Sequence, residues 1–379
     1  MGADSEGSAG PGGGAGCERG YASCLGGVPA CNACAWCALL SDRGGCRYCL
    51  AADLPLVFQI GKEGNELIFA LTILLVAVAF AFGVGGFTFF KACRRAEPLD
   101  WLDEAAVKKT AFGPFYENIA SGHQWLQDHH VEDVYITSHD GLKLHALWVP
   151  AENAKGTAVL VHGYHSCALT DFSLAFSRYH ARGMNLLLPT HRAHGKSEGK
   201  FITFGVLECR DLLAWIRFHN RQYGSFPMLL SGMSMGAATV MFLADEELPD
   251  NVRAFNADCG FTSAYEIIGK VFRDATHIPA WPFLWATDLF ARFFAGFSLY
   301  EKQSTKTLAK NTRPILLVHG LCDDFVPCEM TRRGYATCGG EKDILLADGA
   351  THGTSFLYAK ELYLQKIERL MQACLKEDL

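Results

Sequence analysis

The sequence predicts an α/β domain, a mostly parallel sheet covered by helices on both faces, preceded by one transmembrane helix. Two observations carry this. From about residue 131 onward, short apolar runs that end in turns alternate with amphipathic stretches, the pattern of strands joined through helices. Ahead of them lies a run without charge from Leu67 to Phe90. It is long enough for a hydrocarbon core of about 30 Å, which takes about 20 residues to cross.

Taken in order, residues 1–60 form a Gly- and Ala-rich tail with Cys17, Cys24, Cys31, Cys34, Cys37, Cys46 and Cys49. CNACAWC and CRYC contain C-x-x-C pairs of a kind that can hold zinc. The surrounding sequence has almost no hydrophobic periodicity, so the alternative is a low-complexity tail without fixed structure, or a start-site artefact. The span follows at 65–92. A cleaved signal peptide fits it less well, because the apolar run is too long and starts far from Met1. Lys91, Arg94 and Arg95 directly follow the uncharged run that ends at Phe90, and only Lys62 lies close before the span. This bias predicts a single-pass protein of the cell membrane with everything after residue 90, the catalytic domain included, in the cytoplasm. Cys93, Cys167, Cys209, Cys259, Cys322, Cys328, Cys338 and Cys374 are scattered without a framework, as thiols kept reduced would be. The net charge of −6, with no long basic run, argues against nucleic acid as a partner.

VEDVYITSHDGLKLHALWVPA reads as two strands around an Asp140-Gly141 turn. GTAVLVHG is a buried strand, DFSLAFSRYHARG a helix stopping at Gly183, MNLLLP a strand, and VLECRDLLAWIRFHNRQYG a helix. FPMLL runs into SGMSMG, which leads into the helix GAATVMFLADEE. VRAFNADCG, PILLVHG and KDILLADG are further strands, and a long amphipathic helix closes the chain.

The motif SGMSMG fits G-x-S-x-G and sits between a predicted strand and a predicted helix. That is the setting of a nucleophile elbow, where the glycines allow a turn too tight for side chains. Ser234 is the candidate nucleophile. Serine needs a base held by an acid. Asp323 and His352, each just past a predicted strand, supply them in the chain order Ser, Asp, His. Asp324 is the rival acid; Val326-Pro327 sets the spacing in favour of Asp323. Donors to an oxyanion are expected from the backbone N–H of Met235 and of Tyr164, with His162 bracing the Tyr164 loop.

LVHGYH, THRAHGKSEG, SGMSMG, HGLCDDFVP and THG together resemble landmarks of the α/β-hydrolase superfamily, in particular its bacterial serine aminopeptidase-like or lysophospholipase-like members. The resemblance covers residues 115–375 and implies the α/β-hydrolase fold. Thr190 and Ala193 stand where such enzymes usually carry Asp and Gly, which questions the hydrogen bonding within that loop. An aromatic insertion at about 262–311, including Phe272, Trp281, Trp285 and Phe293, is expected to form a cap. Most of its aromatics would build the cap's own core, and some would line an apolar acyl pocket.

The expected activity is hydrolysis of acyl esters through an acyl-enzyme, without a metal or organic cofactor. A peptidase releasing N-terminal residues, or a catalytically silent binding protein with the same fold, are the alternatives.

Overall fold

The computed structural model describes residues 54–95, 100–109 and 113–376. The candidate zinc cysteines of the tail lie outside these. The chain divides into two units, one ending at Leu71 and one starting at Thr72.

Helix α1 (Leu54–Cys93) contains the apolar run, and its stretch Gly64–Cys93 is long and apolar enough to cross a membrane. Residues 71–80 are all exposed, whereas Gly85, Gly86, Phe89 and Cys93 are buried within the second unit. After helix α2 (Tyr116–Gln127) come strands β1 (Glu132–Thr137) and β2 (Lys143–Val149). They pair antiparallel around the expected turn, where Gly141 has φ +89°, a value most side chains avoid. Then follow β3 (Gly156–Val161), helix α3 (Phe176–Ala181) and β4 (Met184–Pro189). The single helix expected before Gly183 is broken: Ala168–Phe172 is a separate helical turn.

Helix α4 (Glu208–Gln222) leads to β5 (Met228–Met233), α5 (Met235–Phe242) and β6 (Val252–Asp258). The insertion holds α6 (Ala264–Thr276) and α7 (Phe283–Phe290). Strand β7 (Ile315–Gly320), helix α8 (Cys328–Thr337), strand β8 (Lys342–Ala347) and helix α9 (Lys360–Leu375) complete the domain. The eight strands are ordered β1-β2-β4-β3-β5-β6-β7-β8. From β4 to β8 all pairs are parallel, and β2 is antiparallel to both of its neighbours. The central strands β3 and β4 are buried along their whole length, as their continuous apolar sequences require.

Two cores flank the sheet. One joins α4, α5 and the insertion to the end of α1, with Phe89 and Cys93 fully enclosed. The other packs the Ala168–Tyr179 region and α9 on the opposite face. The loop with the unusual residues is well bonded. Ser197 Oγ donates to Thr190 O at 2.6 Å, Ala193 N–H donates to Glu198 O, and Thr190 Oγ1 lies 3.0 Å from His145 Nδ1. Ala193 meets the backbone demand of that loop at φ +57°, where glycine is the usual occupant.

Candidate active site

Strand β5 delivers Ser234 to the carboxyl edge of the sheet, and α5 begins one residue later. Ser234 has φ +53° and ψ −110°, a strained conformation held by its surroundings. A Cβ on Gly236 would stand 1.9 Å from Val161 O, and one on Gly232 would stand 2.3 Å from Gly236 O. No side chain fits at either position, so the glycines of the motif answer to sterics.

His352 follows β8 and lies 2.9 Å from Ser234 Oγ through Nε2. Its Nδ1 lies 2.7 Å from Asp323 Oδ2. Since an ionised carboxylate only accepts, Nδ1–H donates to Asp323, leaving Nε2 to accept from the serine hydroxyl. Burial alone would raise the Asp323 carboxyl. Bonds from His319 and His352 and the Val326 N–H outweigh it and hold the carboxyl far below its ordinary value. Asp323 Oδ1 also accepts from the N–H groups of Phe325 and Val326, at 3.0 and 2.8 Å. The rival Asp324 is exposed, and its carbonyl accepts from Lys270.

His319 had no assigned role in the sequence. Its Nε2 lies 3.1 Å from Asp323 Oδ2 and 2.8 Å from Val326 O, and its Nδ1 faces Thr331 Oγ1 at 2.7 Å. It therefore fixes the acid from behind. A lone polar residue in the buried run ILLVHG was the available signal.

The loop after β3 approaches Ser234 closely: a Cβ on Gly163 would lie 3.4 Å from Ser234 Cβ. Tyr164 lines the cavity beside the serine, and Met235 is the first residue of α5. His162 braces this loop. Its Nδ1 is 2.8 Å from Gly163 O, and its Nε2 accepts from His191 N–H at 3.0 Å. Burial, and then neighbouring imidazoles, keep His162 and His194 well below the ordinary histidine range and push His191 down to about 3. These rings are neutral braces. On its outer side the loop is tied to α1, because Tyr164 Oη donates to Ala92 O at 2.8 Å.

Nothing in the residue pattern singles out Asp171. It accepts from Gly163 N–H at 2.7 Å and from Ser166 Oγ at 2.6 Å. Burial pushes its carboxyl up to about 6, against the pull of those two bonds. Asp258, at the end of β6, is likewise pushed up to about 6 by burial, partly offset by neighbouring His319, Tyr363 and Ser355.

Ser234, His352, Tyr164, Asp171 and Asp258 line a cavity of about 510 Å³. Its walls are largely apolar and come from Phe115 ahead of α2, the Phe172–Leu174 region, Phe325, and Phe356 to Ile367. The expected contribution of the insertion is corrected here: none of the lining residues belongs to 262–311. Several of its aromatics pack on α1 instead, where an apolar helix surface was available to cover. Phe80 meets Phe283 at 6.0 Å between centroids, Phe82 meets Trp285 at 5.6 Å, and Phe90 meets Phe294 at 5.5 Å.

A family model described as serine aminopeptidase, S33, matches residues 152–257. The esterase Pf2001 of Pyrococcus furiosus superimposes with a TM-score of 0.52 at 22% identity, covering 65% of this chain and 93% of that one. This is the α/β-hydrolase fold. The α/β hydrolase GrgF from Penicillium sp. sh18 agrees, with a TM-score of 0.51 at 17% identity over 65% of this chain and 99% of that one. Among sequence relatives, the uncharacterized protein YqkD of Bacillus subtilis (strain 168) is 26% identical over 237 residues, 62% of this chain and 77% of the relative. The uncharacterized membrane protein YNL320W of Saccharomyces cerevisiae is 23% identical over 243 residues, 58% of this chain and 76% of the relative. The resemblance read from the motifs stands, and the family match supports a hydrolase.

Proposed function

We propose that this α/β hydrolase is a membrane-anchored serine hydrolase of acyl esters, held by α1 with its catalytic domain in the cytoplasm. The observation that carries the chemistry is the unbroken chain Ser234–His352–Asp323 opening into a mainly apolar cavity. Ser234 Oγ attacks the ester carbonyl while His352 Nε2 takes its proton, and the backbone N–H groups of Met235 and Tyr164 receive the oxyanion. His352 then returns the proton to the departing alkoxide, giving an acyl-enzyme and an alcohol. Water, activated by the same imidazole, releases the acid.

An acyl chain gains about 0.8 kcal/mol per methylene buried in such walls. That favours esters with an apolar acyl part. One observation favours the aminopeptidase reading: Asp258 lines the cavity, and its Oδ2 has no hydrogen-bond partner among the described residues. An ammonium group would suit it. Asp171, by contrast, is already committed to Gly163 and Ser166.

Fluorophosphonate labelling tests the assignment. Wild type should label and Ser234→Ala should not, with the fold intact; equal labelling of both would end the proposal. Acyl esters should show higher kcat/KM than aminoacyl anilides. The reverse order, abolished selectively by Asp258→Asn, would select the aminopeptidase instead.

A further inference from the structure

The insertion leaves a strongly apolar face uncovered. Phe293 is 82% exposed and Trp281 72% exposed, and Trp285 and Phe294 are also open. Such a cluster is not scattered surface hydrophobicity, because the side chains are neighbours on one short segment.

That segment is fastened to α1. A Cβ on Gly85 would lie 2.5 Å from Ala286 Cβ and 2.8 Å from Phe283 O, and one on Gly86 would lie 2.9 Å from the Phe290 ring. Thr287 Oγ1 donates to Gly85 O at 3.1 Å. Small residues that let two helix backbones touch are the means of helix association where both surfaces are apolar.

The apolar stretch Gly64–Cys93 has 30 residues, whereas a bilayer core needs about 20. The surplus lies at its far end, where Gly85, Gly86, Phe89 and Cys93 are buried against the domain. The bilayer surface therefore falls near the stretch from Phe80 to Phe90, along which α7 runs. Exposed tryptophans at that level match the aromatic belt of membrane–water interfaces. Lys91 directly follows Phe90, and Arg292, exposed and paired with Asp288, directly precedes the Phe293-Phe294 pair. Both suit lipid phosphates.

We propose that the outer face of the insertion, from Trp281 to Phe294, is a second membrane contact. It lies in the interface of a phospholipid bilayer beside α1 and fixes the tilt of the catalytic domain. The proposal rests on the reading that α1 crosses the membrane. The occupant is lipid, since the face continues directly from the exposed surface of α1 through the Phe82–Trp285 and Phe90–Phe294 contacts.

The test uses the full chain reconstituted in phosphatidylcholine–phosphatidylglycerol vesicles, with or without acyl chains brominated near the headgroup. Of the seven tryptophans, Trp281 and Trp285 should be quenched. The double variant Trp281→Phe/Trp285→Phe should lose that bromolipid-sensitive part of the emission, up to two sevenths of the total, while keeping probe labelling at Ser234 as its fold control. In parallel, alkaline carbonate extraction reports whether α1 is integral. A chain that resists extraction, with equal bromolipid quenching in wild type and double variant, overturns this inference and leaves the span standing. A chain released by carbonate overturns both. Should the double variant misfold, Trp281→Phe alone should still lose part of the quenching, and unchanged quenching in it counts against the proposal.

Discussion

The strand ends around Ser234 and the aromatic insertion at 262–311 are both crowded, yet they are crowded for opposite reasons. At the strand ends the backbone dictates the residues: Gly232 and Gly236 leave no room for a Cβ, and Ser234 is held at φ +53°. In the insertion the residues are interchangeable in kind, and only the neighbouring surface decides where they go. Phe283 and Phe290 are half-buried against α1, while Trp281 and Phe293 from the same segment are open. Sites built on polar geometry tolerate little change. Apolar surfaces tolerate composition change and depend on fit.

The sharpest test of that contrast is Asp323→Asn. The carboxamide keeps the size but can present its NH₂ to His352 Nδ1, which selects the wrong imidazole tautomer. Turnover of the substrate that is hydrolysed best should fall by about 10⁴-fold with little change in KM. A loss below tenfold would mean that Asp323 does not orient the base.

The matching change in the other region is Gly85→Val. Its side chain would collide with Ala286 and the Phe283 carbonyl and push α1 from α7. Overpacking of this kind costs about 1–3 kcal/mol. Thermal unfolding in detergent should shift down accordingly, whereas the folded fraction should still label at Ser234. Labelling lost in step with Asp323→Asn would erase the distinction between the two regions.

A smaller effect separates the carboxylates of the site itself. Asp323 is held low by its histidines, so it contributes stability above the ordinary carboxyl value, lost as pH falls below it. Asp258 is raised to about 6 by burial. Its contribution is full below the unfolded value of about 3.9 and is lost as pH rises through about 6. Asp258→Asn removes that loss. Relative to wild type, the variant should therefore be more stable at pH 7.5 than at pH 4.5, by about 2 kcal/mol. Denaturant unfolding at the two pH values measures it, and a pH-independent difference would place the buried charge elsewhere.

The same contrast explains what could be read in advance. The parallel strands were legible because a continuous apolar run such as GTAVLV or ILLV has few other uses in a chain of this pattern, and the first two because the Asp140-Gly141 turn separates them. The grouping of Ser234, Asp323 and His352 was legible because three polar residues past strand ends must meet at one edge of a parallel sheet. Asp171 was not, since its importance lies in a bond to Gly163 N–H that no spacing announces. The destination of the insertion was not either. An aromatic residue looks the same whether it will line a cavity or cover a helix, although Gly85-Gly86 late in an overlong apolar run was a hint of close contact. The break between the Ala168–Phe172 turn and α3 escaped as well, because no Gly or Pro stands at 173–175 to mark it.

The bond from Tyr164 Oη to Ala92 O bears on how this molecule can be taken apart. A chain cut after Cys93 would not be the same domain with a helix removed. The half-buried tyrosine hydroxyl would lose its acceptor, at a cost of about 1–3 kcal/mol if nothing replaced it. Ile202 N–H would lose the carbonyl of Cys93, its partner at 2.6 Å. The socket that encloses Phe89 would stand open to water. The loop beside the serine would be the first part to feel the cut, so the rate of such a fragment would not be that of the intact protein.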